Sequence, residues 1–66
     1  MTPSPKADRR LLRLKPAAEY LSLSVWTLRR LVQQSEIPII KYGDNTPWLI
    51  DVRDLDTWIQ RHKENI

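Results

Sequence analysis

Apolar residues recur along this chain at helical spacing in two neighbouring segments of its first half. Leu14, Ala18 and Leu21 lie at i, i+4 and i+7, which is one face of a short helix. A three-residue break follows at residues 22–24, where Ser24 is suited to cap a second helix with its hydroxyl group. The apolar stripe of this second helix consists of Val25, Leu28, Leu31 and Val32.

The second half of the chain predicts a β-hairpin followed by a third helix. Residues 39–42 and 48–50 are short β-rich runs on either side of a turn cluster that contains the single glycine. Trp48 and Ile50 share a face of this hairpin, which we expect to be the core side. Asp51 is placed to cap the third helix. The apolar stripe of that helix consists of Leu55, Trp58 and Ile59.

Residues 1–10 differ from the rest because they contain two prolines and almost nothing to bury. We expect them to form a flexible N-terminal arm. Residues 11–66 then make one small, mainly helical α+β domain.

Composition narrows the classes of function. A chain of 66 residues has too thin a core to enclose a deep substrate cavity. Without cysteine, and with one histidine and one glycine, it offers no zinc-thiolate site, histidine pair or phosphate-binding glycine loop. No apolar run approaches the ~20 residues that span a bilayer, and we expect no signal peptide after Met1. We expect a cytoplasmic protein that is not an enzyme and has no catalytic residue, metal or cofactor.

The net charge of +3 is unevenly distributed along the sequence. Residues 1–34 hold seven basic and two acidic residues, a net charge of +5, whereas residues 35–66 hold four basic and six acidic residues, a net charge of −2. This asymmetry favours a nucleic-acid partner. Ordinary charge for solubility remains an alternative at this point.

Two short helices joined by a three-residue turn are typical of a helix-turn-helix, whose second helix reads DNA. The exposed face of the predicted second helix has side chains that can contact DNA. Arginines can bind guanine or phosphate, a glutamine can pair with adenine, hydroxyl groups can contact phosphate, and an indole can pack on a sugar or a thymine methyl. These candidates are Ser24, Trp26, Thr27, Arg29, Arg30 and Gln33. The alternatives are a merely solvated helix face and a Trp26 that folds back onto the arm or the hairpin.

The chain also resembles a known family over about three quarters of its length. The matching segments are AAEYL at residues 17–21, Leu23 and Ser24, Thr27 and Leu28, Arg30 and Leu31, EIP at residues 36–38, Trp48 and Ile50, DLD at residues 54–56, and Trp58 and Ile59. In this order they resemble the excisionase-type, MerR-like winged helix-turn-helix proteins. The chain departs from that pattern at Ser22 and Ser35, where glycine is usual.

The resemblance implies that the second helix enters the major groove of DNA and that the hairpin wing contacts the adjacent minor groove. The contacts expected outside the second helix are Lys41, Asn45 and Thr46 in the wing, and Arg13 and Lys15 near the arm. The wing is less basic than is common in the family, and its tip carries Asp44, so an ordinary loop is the alternative.

The role that the resemblance implies is that of an excisionase, an architectural protein that directs site-specific recombination. Such a protein binds and bends attachment-site DNA in several cooperating copies, and it helps a phage integrase to excise the prophage. We expect no dimerisation helix and no small-molecule effector. One alternative is a small MerR-like repressor of a phage or plasmid promoter, and another is a protein-interaction adaptor that docks through Trp26.

Overall fold

The structure, a computed structural model, describes residues 10–65 of the chain. Within this part the chain forms two short strands and three helices: β1 (Leu11–Arg13), α1 (Leu14–Leu21), α2 (Val25–Gln33), β2 (Leu49–Asp51) and α3 (Val52–Arg61). This arrangement confirms the predicted small, mainly helical α+β fold. The predicted arm lies outside the described residues, apart from Arg10.

Helix α1 lies at the centre of the fold, since it packs against α2, α3 and both strands. The small side chains of Ala17 and Ala18 are buried, so the neighbouring elements approach α1 closely. The rest of the buried core consists of Leu28, Ile37, Ile50 and Leu55. Partly buried side chains surround it: Leu12, Leu14, Leu21, Leu31, Val32, Ile39 and Trp58. The apolar stripes of the sequence therefore supply most of the interior as predicted, but Val25 is 37% exposed and Ile59 lies outside this cluster and the side chains packed against it.

The sheet differs from the prediction in its main strand pairing. Strand β2 pairs antiparallel with β1, with Leu12 opposite Ile50, whereas the sequence predicts no strand in residues 11–13. The predicted hairpin is present in a shorter form. A single bridge joins Ile40 and Leu49, whose backbone N–H groups each donate to the other's carbonyl at 2.7 and 3.0 Å. The wing is therefore a loop over residues 41–48 that this bridge closes.

Both helices of the helix-turn-helix end on a serine in the left-handed region. Ser22 has φ of 59° and Ser35 has φ of 62°. After α1, the backbone N–H of Ser22 donates to the Glu19 carbonyl at 3.0 Å, and that of Leu23 donates to the Ala18 carbonyl at 2.9 Å. After α2, Ser35 and Glu36 form the same pair of bonds with Val32 and Leu31. This double bonding is the Schellman motif, which favours glycine at the left-handed residue.

The start of α3 is capped as the sequence predicts. The Asp51 carboxylate accepts a hydrogen bond from the Arg53 backbone N–H at 2.9 Å and forms an ion pair with Arg10 at 3.0 Å. The bond from Arg53 and, to a smaller extent, the Arg10 guanidinium hold the pKa of Asp51 below its usual value. The Arg10 carbonyl also accepts from the Val52 N–H at 2.7 Å, so Arg10 is joined to the domain.

Candidate nucleic-acid interface

The N-terminus of α2 is fixed by two hydroxyl side chains. The Ser24 hydroxyl oxygen accepts a hydrogen bond from the Thr27 backbone N–H at 3.1 Å. The same Ser24 hydroxyl donates to the Thr27 hydroxyl oxygen at 2.9 Å. This arrangement confirms Ser24 as the cap of α2. It also leaves the Thr27 hydroxyl with its hydrogen free to donate, beside backbone N–H groups that have no partner within the helix. A phosphate oxygen fits such an end of a helix.

One face of α2 is exposed, because the helix packs mainly on α1. Trp26, Arg30 and Gln33 lie at i, i+4 and i+7 on this face, and all three are exposed. The Trp26 side chain is 66% exposed, and the guanidinium carbon of Arg30 lies 5.0 Å from the centre of its ring. Trp26 therefore contacts Arg30 of its own helix. The alternative, in which Trp26 folds back onto the arm, involves residues that lie outside the described part of the chain.

A groove of about 460 Å³ lies beside this face, between α2, the start of α1 and the wing. Three basic side chains line it: Arg13, Lys15 and Arg29. The guanidinium carbon of Arg29 lies 5.8 Å from the ring centre of Trp48, which forms another wall. The structure thus brings the two basic residues near the arm together with one from α2, as a DNA-binding surface requires.

Trp48 is placed differently from the expectation that it belongs to the core. Ile50 is fully buried, but Trp48 is only half-buried and faces the groove. The physical reason is that β2 begins only at Leu49, so Trp48 belongs to the wing loop and its orientation is not set by the sheet. The sequence contains no local signal for the pairing with Arg29, since it depends on how α2 and the wing pack together.

The three candidate wing residues have different surroundings. Lys41 and Asn45 are exposed, and Asn45 has φ of 60°, which turns the chain at the tip. Thr46 lines the groove, but its hydroxyl donates to the Gly43 carbonyl at 2.7 Å. The single hydroxyl hydrogen of Thr46 is thus used inside the turn, and only its oxygen can accept a further bond.

No group of three or more His, Asp or Glu side chains between residues 10 and 65 is placed to hold a metal ion. None of the helices described there is long and apolar enough to cross a membrane.

The helix-turn-helix, the closed wing loop and the basic groove define a small winged helix-turn-helix domain. The family model of the helix-turn-helix domain matches residues 11–63, and the chain belongs to this family. DNA binding follows from this membership, because the helix-turn-helix is a DNA-binding motif. No curated protein and no solved structure matches the chain significantly.

Proposed function

We propose that this protein is an excisionase, a DNA-binding architectural protein without catalytic activity that directs integrase-mediated excision of a prophage. The observation that carries the proposal is the continuous surface formed by the exposed face of α2 and the basic groove beside it. The family to which the chain belongs includes excisionase-like DNA-binding proteins. The resemblance to excisionases lies in segments that run from AAEYL at residues 17–21 to Trp58 and Ile59.

The small size of the domain, matched over residues 11–63, supports an architectural role. A single small DNA-binding module covers roughly 600–1,000 Å² of protein surface on DNA, which gives limited affinity and specificity. Several copies on neighbouring sites, or a recombinase bound beside them, would supply the missing affinity. Bending the DNA brings further contacts that offset the cost of its deformation.

Footprinting on the DNA that flanks the gene, with and without the neighbouring recombinase, tests this role. An excisionase protects several evenly spaced repeats within an attachment site, and occupancy of one repeat raises occupancy of the next. A single protected operator that overlaps a promoter would instead identify a repressor and refute the proposal. A variant with both Arg29→Ala and Arg30→Ala is the matched control, because it removes the main cations of α2 while leaving the buried core intact.

Recombination itself provides the second readout. A plasmid that carries both prophage attachment sites should lose the intervening segment only when integrase and this protein are both present. Excision by integrase alone at the same rate would contradict the assigned role. Cleavage or joining of DNA by this protein alone would contradict the absence of catalytic activity.

A further inference from the structure

The two adjacent arginines of α2 have different aromatic partners. Arg29 lies against Trp48 of the wing loop, with its guanidinium carbon 5.8 Å from the ring centre. Arg30 lies against Trp26 of its own helix, at 5.0 Å. Successive residues of a helix point about 100° apart, so the two guanidinium groups have separate surroundings.

The surroundings of Arg29 suit a phosphate. It shares the groove with Arg13 and Lys15, and the residues that line this groove include no acid. Three like charges around one open groove repel each other in the free protein, and an anion between them relieves that repulsion. A guanidinium beside an aromatic ring keeps its N–H donors available for a phosphate oxygen.

The surroundings of Arg30 suit a base edge. It lies on the exposed ridge of α2, one turn after Trp26 and one turn before Gln33. The contact with the Trp26 ring restricts the rotamers of Arg30, which lowers the entropy lost when its planar fork meets a base. Guanine O6 and N7 are the acceptors that such a fork binds in the major groove.

We propose that Arg29 and Arg30 have separate roles in DNA recognition. The groove lined by Arg13, Lys15, Arg29 and Trp48 is a site for the phosphodiester backbone of duplex DNA, and Arg29 contacts that backbone there. Arg30 reads a guanine, and Trp26 is the positioning residue that orients it. This inference rests on DNA binding by the helix-turn-helix domain and does not depend on the excisionase role.

The test compares two duplexes of equal length, one selected from a randomised pool by the wild-type protein and one with the same bases shuffled. Arg29→Ala should weaken binding to both duplexes by a similar factor. It should also make the plot of log affinity against log salt less steep, with a slope that is less negative by about 0.9. Arg29→Lys should restore most of the loss, because a phosphate accepts a point charge.

Arg30→Ala should instead weaken binding to the selected duplex by roughly 10- to 100-fold and to the shuffled duplex far less. Arg30→Lys should recover little, since lysine lacks the planar fork. Trp26→Ala should reduce the preference for the selected duplex in the same way, and Trp26→Phe should keep most of it because an aromatic ring remains. A merely structural role for Trp26 would not change this preference.

Thermal unfolding of each variant first confirms that it is folded. Equal losses on both duplexes for Arg30→Ala, or loss of sequence preference in Arg29→Ala, would overturn the separation of roles. Failure of the wild-type protein to bind either duplex would instead overturn DNA binding itself, so the two failures are distinguishable.

Discussion

At the scale of single residues, the fold contains two serines where the backbone favours glycine. Ser22 and Ser35 both have positive φ at helix ends, and a side chain in this region costs about 1–2 kcal/mol. The resemblance to the excisionase-type family indicates both positions, since glycine is usual there. The structure supplies the physical reason, which is the Schellman motif that ends each helix.

Replacing either serine with glycine should therefore stabilise the domain. We expect Ser22→Gly and Ser35→Gly each to raise the free energy of unfolding by about 0.5–1 kcal/mol, after the greater backbone freedom of glycine in the unfolded chain is subtracted. Urea unfolding measures the change. Ser24→Gly is the matched control, because Ser24 has φ of −72° and its substitution only removes a cap. A gain at Ser24, or none at the other two positions, would contradict this explanation.

At the scale of elements, α3 makes polar contacts with the rest of the domain near both of its ends and at its middle. Asp51 caps its first turn and pairs with Arg10. Arg61 in its last turn donates to the Glu36 carbonyl at 3.2 Å, in the segment that follows α2. The Tyr20 hydroxyl of α1 donates to Asp56 at 2.6 Å. These contacts fix α3 and β2 in place, and β2 carries one end of the wing loop.

The cap of α3 predicts a dependence of stability on pH. Because the pKa of Asp51 is lowered in the folded state from its usual 3.8, its contribution is present above that value and is lost as the pH falls through the folded pKa. Asp51→Asn keeps a capping side chain that does not titrate. The wild type should melt at a higher temperature than this variant near neutral pH, and the difference should disappear in acid below pH 3.8. A difference that stays constant with pH would show that the carboxylate charge contributes nothing.

At the scale of the whole molecule, the local features were predictable from sequence and the long-range contacts were not. The caps at Ser24 and Asp51 and the helical apolar stripes depend on neighbouring residues, so their spacing reveals them. Strand β1 is three residues long and is defined by its pairing with β2, which leaves no periodicity to detect. The groove likewise joins residues from α1, α2 and the wing, and no spacing along the chain indicates that Trp48 meets Arg29.

The tryptophans show how the molecule divides into an interior and a binding surface. Trp58 packs against the core and stacks on His62 with ring centres 4.4 Å apart, whereas Trp26 is exposed. Trp58→Ala should cost about 3 kcal/mol of unfolding free energy, because it removes a large side chain from the packing around the core. Trp26→Ala should change stability by less than about 0.5 kcal/mol. Chemical denaturation of both variants tests this division, and similar losses would contradict it.

We expect this domain to bind duplex DNA through the exposed face of α2 and the basic groove beside it. The most direct measurement is the affinity for a fluorescent duplex as the salt concentration is raised. If Arg13, Lys15 and Arg29 of the groove each neutralise one phosphate, a plot of log affinity against log salt should have a slope of about −2.7. This slope corresponds to roughly a 40-fold loss of affinity for a fourfold rise in salt. Duplex binding that does not change with salt, or no duplex binding at low salt, as expected for a protein-interaction adaptor that docks through Trp26, would contradict DNA binding through this surface.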